Sequence, residues 1–253
     1  MKKDIKITLL ENSQSFLKEA LEKAVLAETE PIQWKFAVFS MVQSIELLLK
    51  ERLKREHSVL IYKNVDRRTQ TVGIKEAIGR LTSIVKLKIS KNDSDTIEKA
   101  SELRHEIVHH EFNILPKDLK LVFAKLLGFS IKFHNKEFDC KLGDIITEEA
   151  FTQIMGIIEY AKELSDAALK EIKRKGIEDW DIFECPNCIN DTYVSNDDDY
   201  RCFTCGYSED MFQCYSCGEL HFESNKHEFR NHDMCIICCD RIRDEEDYYN
   251  SLY

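Results

Sequence analysis

Phe36-Ala-Val-Phe-Ser-Met-Val-Gln-Ser-Ile-Glu-Leu-Leu-Leu-Lys-Glu-Arg-Leu53 runs for 18 residues without Pro or Gly and is apolar nearly all the way round a helix. Pro31 suits the first turn of such a helix, which is expected to run from Ile32 to Lys54. Trp34, Val38, Met41, Ile45 and Leu48 fall on one side of it, and Phe36, Phe39 and Leu47 on another. A helix with apolar residues on several sides must be surrounded by other elements, so it sits at the centre of a bundle. Its polar exceptions, Gln43 and Glu46, need partners in the bundle or at a cleft.

The flanking sequence supplies those neighbours. Phe16, Leu17, Ala20, Leu21, Ala24 and Val25 recur at helical steps and mark a helix over residues 12–28. Residues 57–71 read as a loop with Arg67 and Arg68 exposed, and Ile74, Ala77, Ile78 and Leu81 as a short helix. Asn92, Asp93 and Ser94 offer caps for the next helix, whose expected apolar stripe is Ile97, Ala100, Leu103, Ile107 and Val108. Pro116 opens another helix through Ile131, residues 133–144 read as a loop, and Thr147 caps a long helix closed by Gly176. The expected fold is therefore mainly α, with five to six helices over residues 1–176 and no internal repeat.

The rest of the chain differs in kind. Residues 1–176 carry 31 Lys and Arg against 27 Asp and Glu, a net of +4, while residues 177–253 carry 5 against 19, a net of −14. Nine of the ten cysteines follow residue 184, and eight of them form four C-x-x-C pairs, the spacing of metal knuckles. Cys185, Cys188, Cys202 and Cys205 are expected to hold one structural Zn2+, and Cys214, Cys217, Cys235 and Cys238 a second. Each set resembles a zinc ribbon, a small β module, and Gly206 and Gly218 follow a second cysteine where the backbone must turn towards sulfur. Interleaved ligation remains open, as does replacement of Cys238 by Cys239 or of a thiolate by His221, His227 or His232. Cys140 stands apart as a plain buried thiol.

Metal knuckles point to a reducing compartment. Asp4, Lys6 and Thr8 interrupt what would be the apolar core of a signal peptide, and no apolar run approaches the roughly 20 residues of a membrane helix, so a cytoplasmic location is expected. Each four-thiolate zinc centre adds a charge of −2, which makes the acidic module a poor partner for nucleic acid. Residues 197–199 and 244–247, with Tyr248, Tyr249 and Tyr253, look instead like an acidic aromatic surface for a protein partner, or a cover for a basic face of the bundle.

The chemistry concentrates in Arg104-His-Glu-Ile-Val-His-His110. At 100° per residue, His105 and His109 lie within about 40° of each other, away from the apolar stripe, with Arg104 at its margin. Two patterns overlap here. His105, Glu106 and His109 have the H-E-x-x-H spacing of zinc metallopeptidases, but Glu102, Arg104, His110 and Glu111 make the surroundings highly charged, a guanidinium opposes a dication, and no third ligand is evident. Arg104 and His109 have R-x4-H spacing, and His110 satisfies R-x5-H equally well.

The segment at 36–53, then Thr71-Val-Gly-Ile-Lys-Glu-Ala-Ile-Gly-Arg-Leu81, then Glu102-Leu-Arg-His-Glu-Ile-Val-His-His110 resemble, in order and spacing, a HEPN domain over roughly residues 10–175. The resemblance implies a bundle that dimerises so that two R-x4-6-H helices build one ribonuclease site. It assigns Arg104 as the motif Arg, His109 or His110 as the motif His, His105 as the polar residue after the Arg, and Glu46 as an acidic residue orienting Arg104. It further implies a metal-independent endoribonuclease, leaving 2′,3′-cyclic phosphate ends, in a toxin or anti-phage setting. RNA supplies its own nucleophile in the 2′-hydroxyl, so imidazoles to move protons and a guanidinium for the phosphate suffice. The competing expectation is a HEPN-like dimer without catalysis, carrying the zinc module as a protein-interaction adaptor.

Overall fold

The computed structural model describes residues 6–64, 66–140, 145, 147–196, 199–229 and 231–250, without the side chains of 148–150 and 244–250. It is mostly helical, with a small C-terminal β region. Six helices come first: α1 (Leu9–Leu26), α2 (Gln33–Glu56), α3 (Ile74–Ser83), α4 (Lys91–His109), α5 (Pro116–Phe138) and α6 (Glu148–Lys175). By contacts the chain divides into two compact units, residues 1–166 with Pro186–Ile189, and Ala167–Cys185 with residues 190–253. Helix α6 itself continues to Lys175, where Gly176 adopts φ +67°. That left-handed residue ends the helix at the expected place.

In the first unit α2 is central, packing against α1, α3, α4 and α5. Val38, Met41, Ile45, Leu48 and Leu49 are wholly buried and Trp34 nearly so. Truncating one of these, such as Ile45 to Ala, removes apolar contact on every side and costs about 2–5 kcal/mol. Where α1 meets α2, Ser13 and Ser44 are both buried, and each hydroxyl donates to the other's carbonyl at 2.8 Å. Short side chains let the two backbones approach there, and the reciprocal bonds leave neither hydroxyl unsatisfied.

Local signals set the helix ends. Thr8 caps α1 through a box in which its hydroxyl accepts from the Glu11 amide and Glu11 accepts from the Thr8 amide, so α1 begins three residues before the first expected position. Helix α4 is capped by Ser90, whose hydroxyl accepts from the Asp93 amide at 3.0 Å, not by the side chains at 92–94. The stretch from residue 133, expected to be loop, continues α5 to Phe138, with the tilted rings of Phe129, Phe133 and Phe138 in succession along it, centroids 5.3 and 6.1 Å apart. Asp139, at φ +49°, then stops the helix. Within 57–71 a 3-10 turn at Ser58–Ile61 and a bridge between Tyr62 and Thr71 give order, pinned by Arg80, which donates to the carbonyls of Leu60 and Tyr62.

The second unit contains β1 (Ile182–Glu184), β2 (Asp191–Ser195) and β3 (Tyr200–Cys202) as one antiparallel sheet. Two hairpins follow, β4 (Met211–Gln213) with β5 (Leu220–Phe222), and β6 (Lys226–Phe229) with β7 (His232–Cys235). Tyr193 is its largest fully buried side chain; its ring meets Phe222 edge-on at 4.8 Å and its hydroxyl donates to the Glu209 carbonyl. The chain then enters a helix that the expected pair of ribbons did not include, α7 (Ile236–Asn250).

Candidate functional site

The end of α4 carries Arg104 and the histidines, and α2 supplies what holds the arginine. Gln43 and Glu46 are three residues apart on α2, so both reach across to one group on α4. Arg104 donates from Nη1 to Gln43 Oε1 at 2.8 Å and to Glu46 Oε2 at 3.0 Å. The other oxygen of Glu46 accepts from Lys50 Nζ at 2.6 Å, and Lys50 also donates to Thr71 Oγ1 at 3.1 Å. Side-chain exposure is 25% for Arg104, 19% for Glu46 and 10% for Lys50, so the ion pairs are partly withdrawn from water. Arg104 is thereby fixed at the rim of the bundle, and because one carboxylate serves two cations the cluster keeps a net positive charge.

His105, His109 and His110 are all exposed. The rings of His105 and His109 lie 4.6 Å apart between centroids, and those of His105 and His110 5.8 Å apart. The apolar stripe expected on this helix fades towards its end. Ile97 and Ala100 are buried, Leu103 and Ile107 are half-buried, and Val108 is 53% exposed. Its last turn presents Glu106, Val108 and His109 to solvent, with only Ile107 half-buried. Gln43, Lys50 and Thr71 were not among the expected site residues. The signal for Gln43 and Lys50 lay in their spacing of three and four residues from Glu46.

Two other groupings bring donor atoms together. The thiols of Cys185, Cys188, Cys202 and Cys205 lie within 4.8 Å of one another, as do those of Cys214, Cys217, Cys235 and Cys238. The thiols therefore group sequentially, not in the interleaved order. Sulfurs on one tetrahedral zinc stand about 3.8 Å apart, given Zn–S near 2.3 Å. Cys185 Sγ and Cys205 Sγ are 3.7 Å apart, so this set fits a structural Zn2+. His105, Glu106 and His109 belong to neither group, and among the described residues only the two thiol sets gather three or more such donors.

The knuckles repeat one backbone solution. The amide of Gly206 donates to the Cys202 carbonyl and that of Gly218 to the Cys214 carbonyl, both at 2.8 Å, with φ of +80° and +73°. Amides also reach sulfur, from Cys205 to Cys202 Sγ and from Cys235 to Cys214 Sγ. Burial pushes the Cys214 thiol up, but N–H groups of Cys217, Cys235 and Ser216 outweigh it and bring the thiol down to about 6. After Cys188 the same left-handed turn falls on Ile189, at φ +58°, where a β-branched side chain is strained. Ile189 is nonetheless buried, as part of the first unit's core.

The second set departs from a ribbon. Cys214 and Cys217 sit on the β4–β5 hairpin, but Cys235 ends β7 and Cys238 lies in the first turn of α7. Cys239 is buried against Phe212 and Met234 and is not one of the four ligands. His221 Nε2 lies 3.5 Å from Cys217 Sγ, His232 stacks on Tyr215 with centroids 3.7 Å apart, and His227 is exposed on β6. Cys140 is half-buried, not buried, with Gln14 Nε2 at 3.5 Å from its sulfur. Of the expected acidic aromatic surface, Asp197, Asp198 and Tyr253 lie outside the described residues, as do the side chains of 244–249. No helix of the described residues is long and apolar enough to cross a membrane. No protein-family model matches the chain, and no curated protein and no solved structure is similar to it.

Proposed function

We propose that this protein is a metal-independent endoribonuclease whose site is completed by a second copy of α4, with Arg104 binding phosphate and His109 moving protons. One observation carries the proposal: Arg104 is held at the bundle rim by Glu46 and Gln43, on the same helix end as three exposed imidazoles. A guanidinium clamped through Nη1 loses little further freedom on meeting an anion. Its Nη2 and Nε make no hydrogen bond among the described residues and can meet a phosphate oxygen pair.

In the mechanism that follows, an imidazole from the His105, His109 and His110 group takes the proton of the RNA 2′-hydroxyl. The oxygen attacks the adjacent phosphorus, and the 5′-oxygen leaves with a proton from a second imidazole. Arg104 stabilises the charge that builds on the phosphorane. One copy of α4 offers one guanidinium and a run of imidazoles on one side of the phosphate. A second copy supplies acid and base on opposite sides, which is why the dimer is part of the proposal.

The exposed carboxylates of Glu102, Glu106 and Glu111 around the histidines favour a second reading, in which the helix end is a dimer contact without cleavage and the zinc module is a protein adaptor. The two are separated by incubating the purified protein with RNA in excess chelator, beside Arg104→Ala and His109→Ala. Cleavage that survives chelation, leaves 2′,3′-cyclic phosphate ends and disappears in both variants supports the ribonuclease. Cleavage lost on chelation with the fold intact overturns metal independence, and a folded dimer that cleaves no RNA favours the adaptor.

A further inference from the structure

We propose that His105 and His109 form a two-imidazole chelate for an exchangeable divalent transition ion, Ni2+, Cu2+ or Zn2+, separate from both thiol sites. They are one helical turn apart on an exposed surface, and their ring centroids are 4.6 Å apart. Two imidazoles on one tetrahedral ion place their centroids about 5.2 Å apart, given metal–nitrogen bonds near 2.0–2.1 Å. Closing that small difference takes only rotation about side-chain bonds, and exposed side chains rotate freely. Neither ring makes a hydrogen bond among the described residues, so no existing bond is lost when a metal arrives.

The electrostatics also permit it. A guanidinium next to a dication is unfavourable, and Glu46 at 3.0 Å on α2, shared with Lys50, offsets the charge of Arg104 only in part. Glu102, Glu106 and Glu111 place exposed negative charge on the same helix end. The donor type selects the ion: neutral imidazole suits Ni2+, Cu2+ and Zn2+, whereas Mg2+ and Ca2+ prefer oxygen. No third His, Cys, Asp or Glu donor among the described residues completes the set. Water therefore fills the remaining positions and the ion exchanges, unlike one enclosed by four thiolates.

An ion held there occupies the imidazole lone pairs that would accept a proton. On the ribonuclease reading, on which this consequence alone rests, such ions switch cleavage off. The full-length chain, with both thiol sites loaded with zinc, is titrated with Ni2+ by calorimetry, and the imidazole ring signals are followed by NMR. The expected result is one saturable equivalent, with the His105 and His109 rings broadened by the paramagnetic ion. Binding should weaken at least tenfold in His105→Ala and in His109→Ala, and persist in His227→Ala, at unchanged helical content. No saturable binding, or equal binding by wild type and both α4 variants, overturns the site. Ni2+ binding as described by a protein that cleaves no RNA leaves the chelate standing and removes the ribonuclease, whereas cleavage untouched at saturating Ni2+ removes only the inhibition.

Discussion

Removing the Glu46 carboxylate should weaken the helical unit by an amount that the geometry fixes in order of magnitude. Glu46 accepts from two cations, Lys50 at 2.6 Å and Arg104 at 3.0 Å, and all three side chains are at most a quarter exposed. A hydrogen bond to a charged group contributes about 1.5–3 kcal/mol, and a half-buried cation left unpaired adds a desolvation cost. Both cations keep a neutral acceptor, Gln43 for Arg104 and Thr71 for Lys50, which holds the loss near the low end. Glu46→Ala should therefore cost about 2 kcal/mol, a fall in Tm of roughly 4–8 °C. Arg104→Ala leaves Glu46 still paired with Lys50 and should cost about 1 kcal/mol. The pair is tested by a double-mutant cycle in thermal or urea unfolding, followed by helical circular dichroism, with both single variants and Glu46→Ala/Arg104→Ala. A coupling of about 1 kcal/mol is expected; a value below about 0.3 kcal/mol, the scatter of independent sites, would refute the clamp.

Three further outcomes follow from other parts of the molecule. Metal analysis of the protein purified with zinc should give two equivalents for wild type and Cys239→Ser, and one for Cys202→Ser or Cys235→Ser; loss of zinc in Cys239→Ser would show that the fourth ligand is misassigned. Burial lowers the His134 pKa below the ordinary 6.5, against a smaller opposing effect of the Ser130 carbonyl, so the unfolded chain binds the proton more readily. Stability should then decline as pH falls below about 6.5 towards the folded value, and His134→Leu should flatten that decline in denaturant midpoints taken between pH 7.5 and 5; an unchanged slope would mean that other groups carry it. Ile189→Gly should relieve the left-handed turn yet remove a buried side chain worth about 1.5–3 kcal/mol, so a net loss of roughly 1 kcal/mol is expected in unfolding experiments, and a gain would show that strain dominates.

Much of this arrangement was legible in the residues because the strongest signals are short-range. Pro31, Pro116 and Gly176 punctuate helices by backbone geometry alone, and the C-x-x-C pairs group by sequence proximity. The apolar α2 had to be central, and the polar exceptions Gln43 and Glu46 had to be satisfied by something. What was hidden depends on contacts between distant segments. Asn135, Lys136 and Glu137 look like loop, but α2 reaches this turn, where Arg52 donates to Glu137 at 2.9 Å and the Arg55 guanidinium lies over the Phe138 ring. Val108 fits the periodicity of a buried stripe, yet it is 53% exposed. Ser90 outcompeted the three caps after it because its hydroxyl alone precedes the first helical turn with the right backbone. The helix after Cys235 was obscured by cysteines whose spacing spoke only of metal.

That last helix has a consequence for how the C-terminus acquires order. Starting an isolated helix is the unfavourable step, since several residues must be fixed before the first bond forms, and a segment of about 15 residues is marginal alone in water. In α7, Cys238 lies in the first turn and Cys235 just before it, so an ion gripping both fixes that turn in advance. An ion held there would nucleate the helix. Zinc supply would then set the order of residues far from the ligands themselves, and stripping the ion should release the coil of the whole segment from its first turn onward.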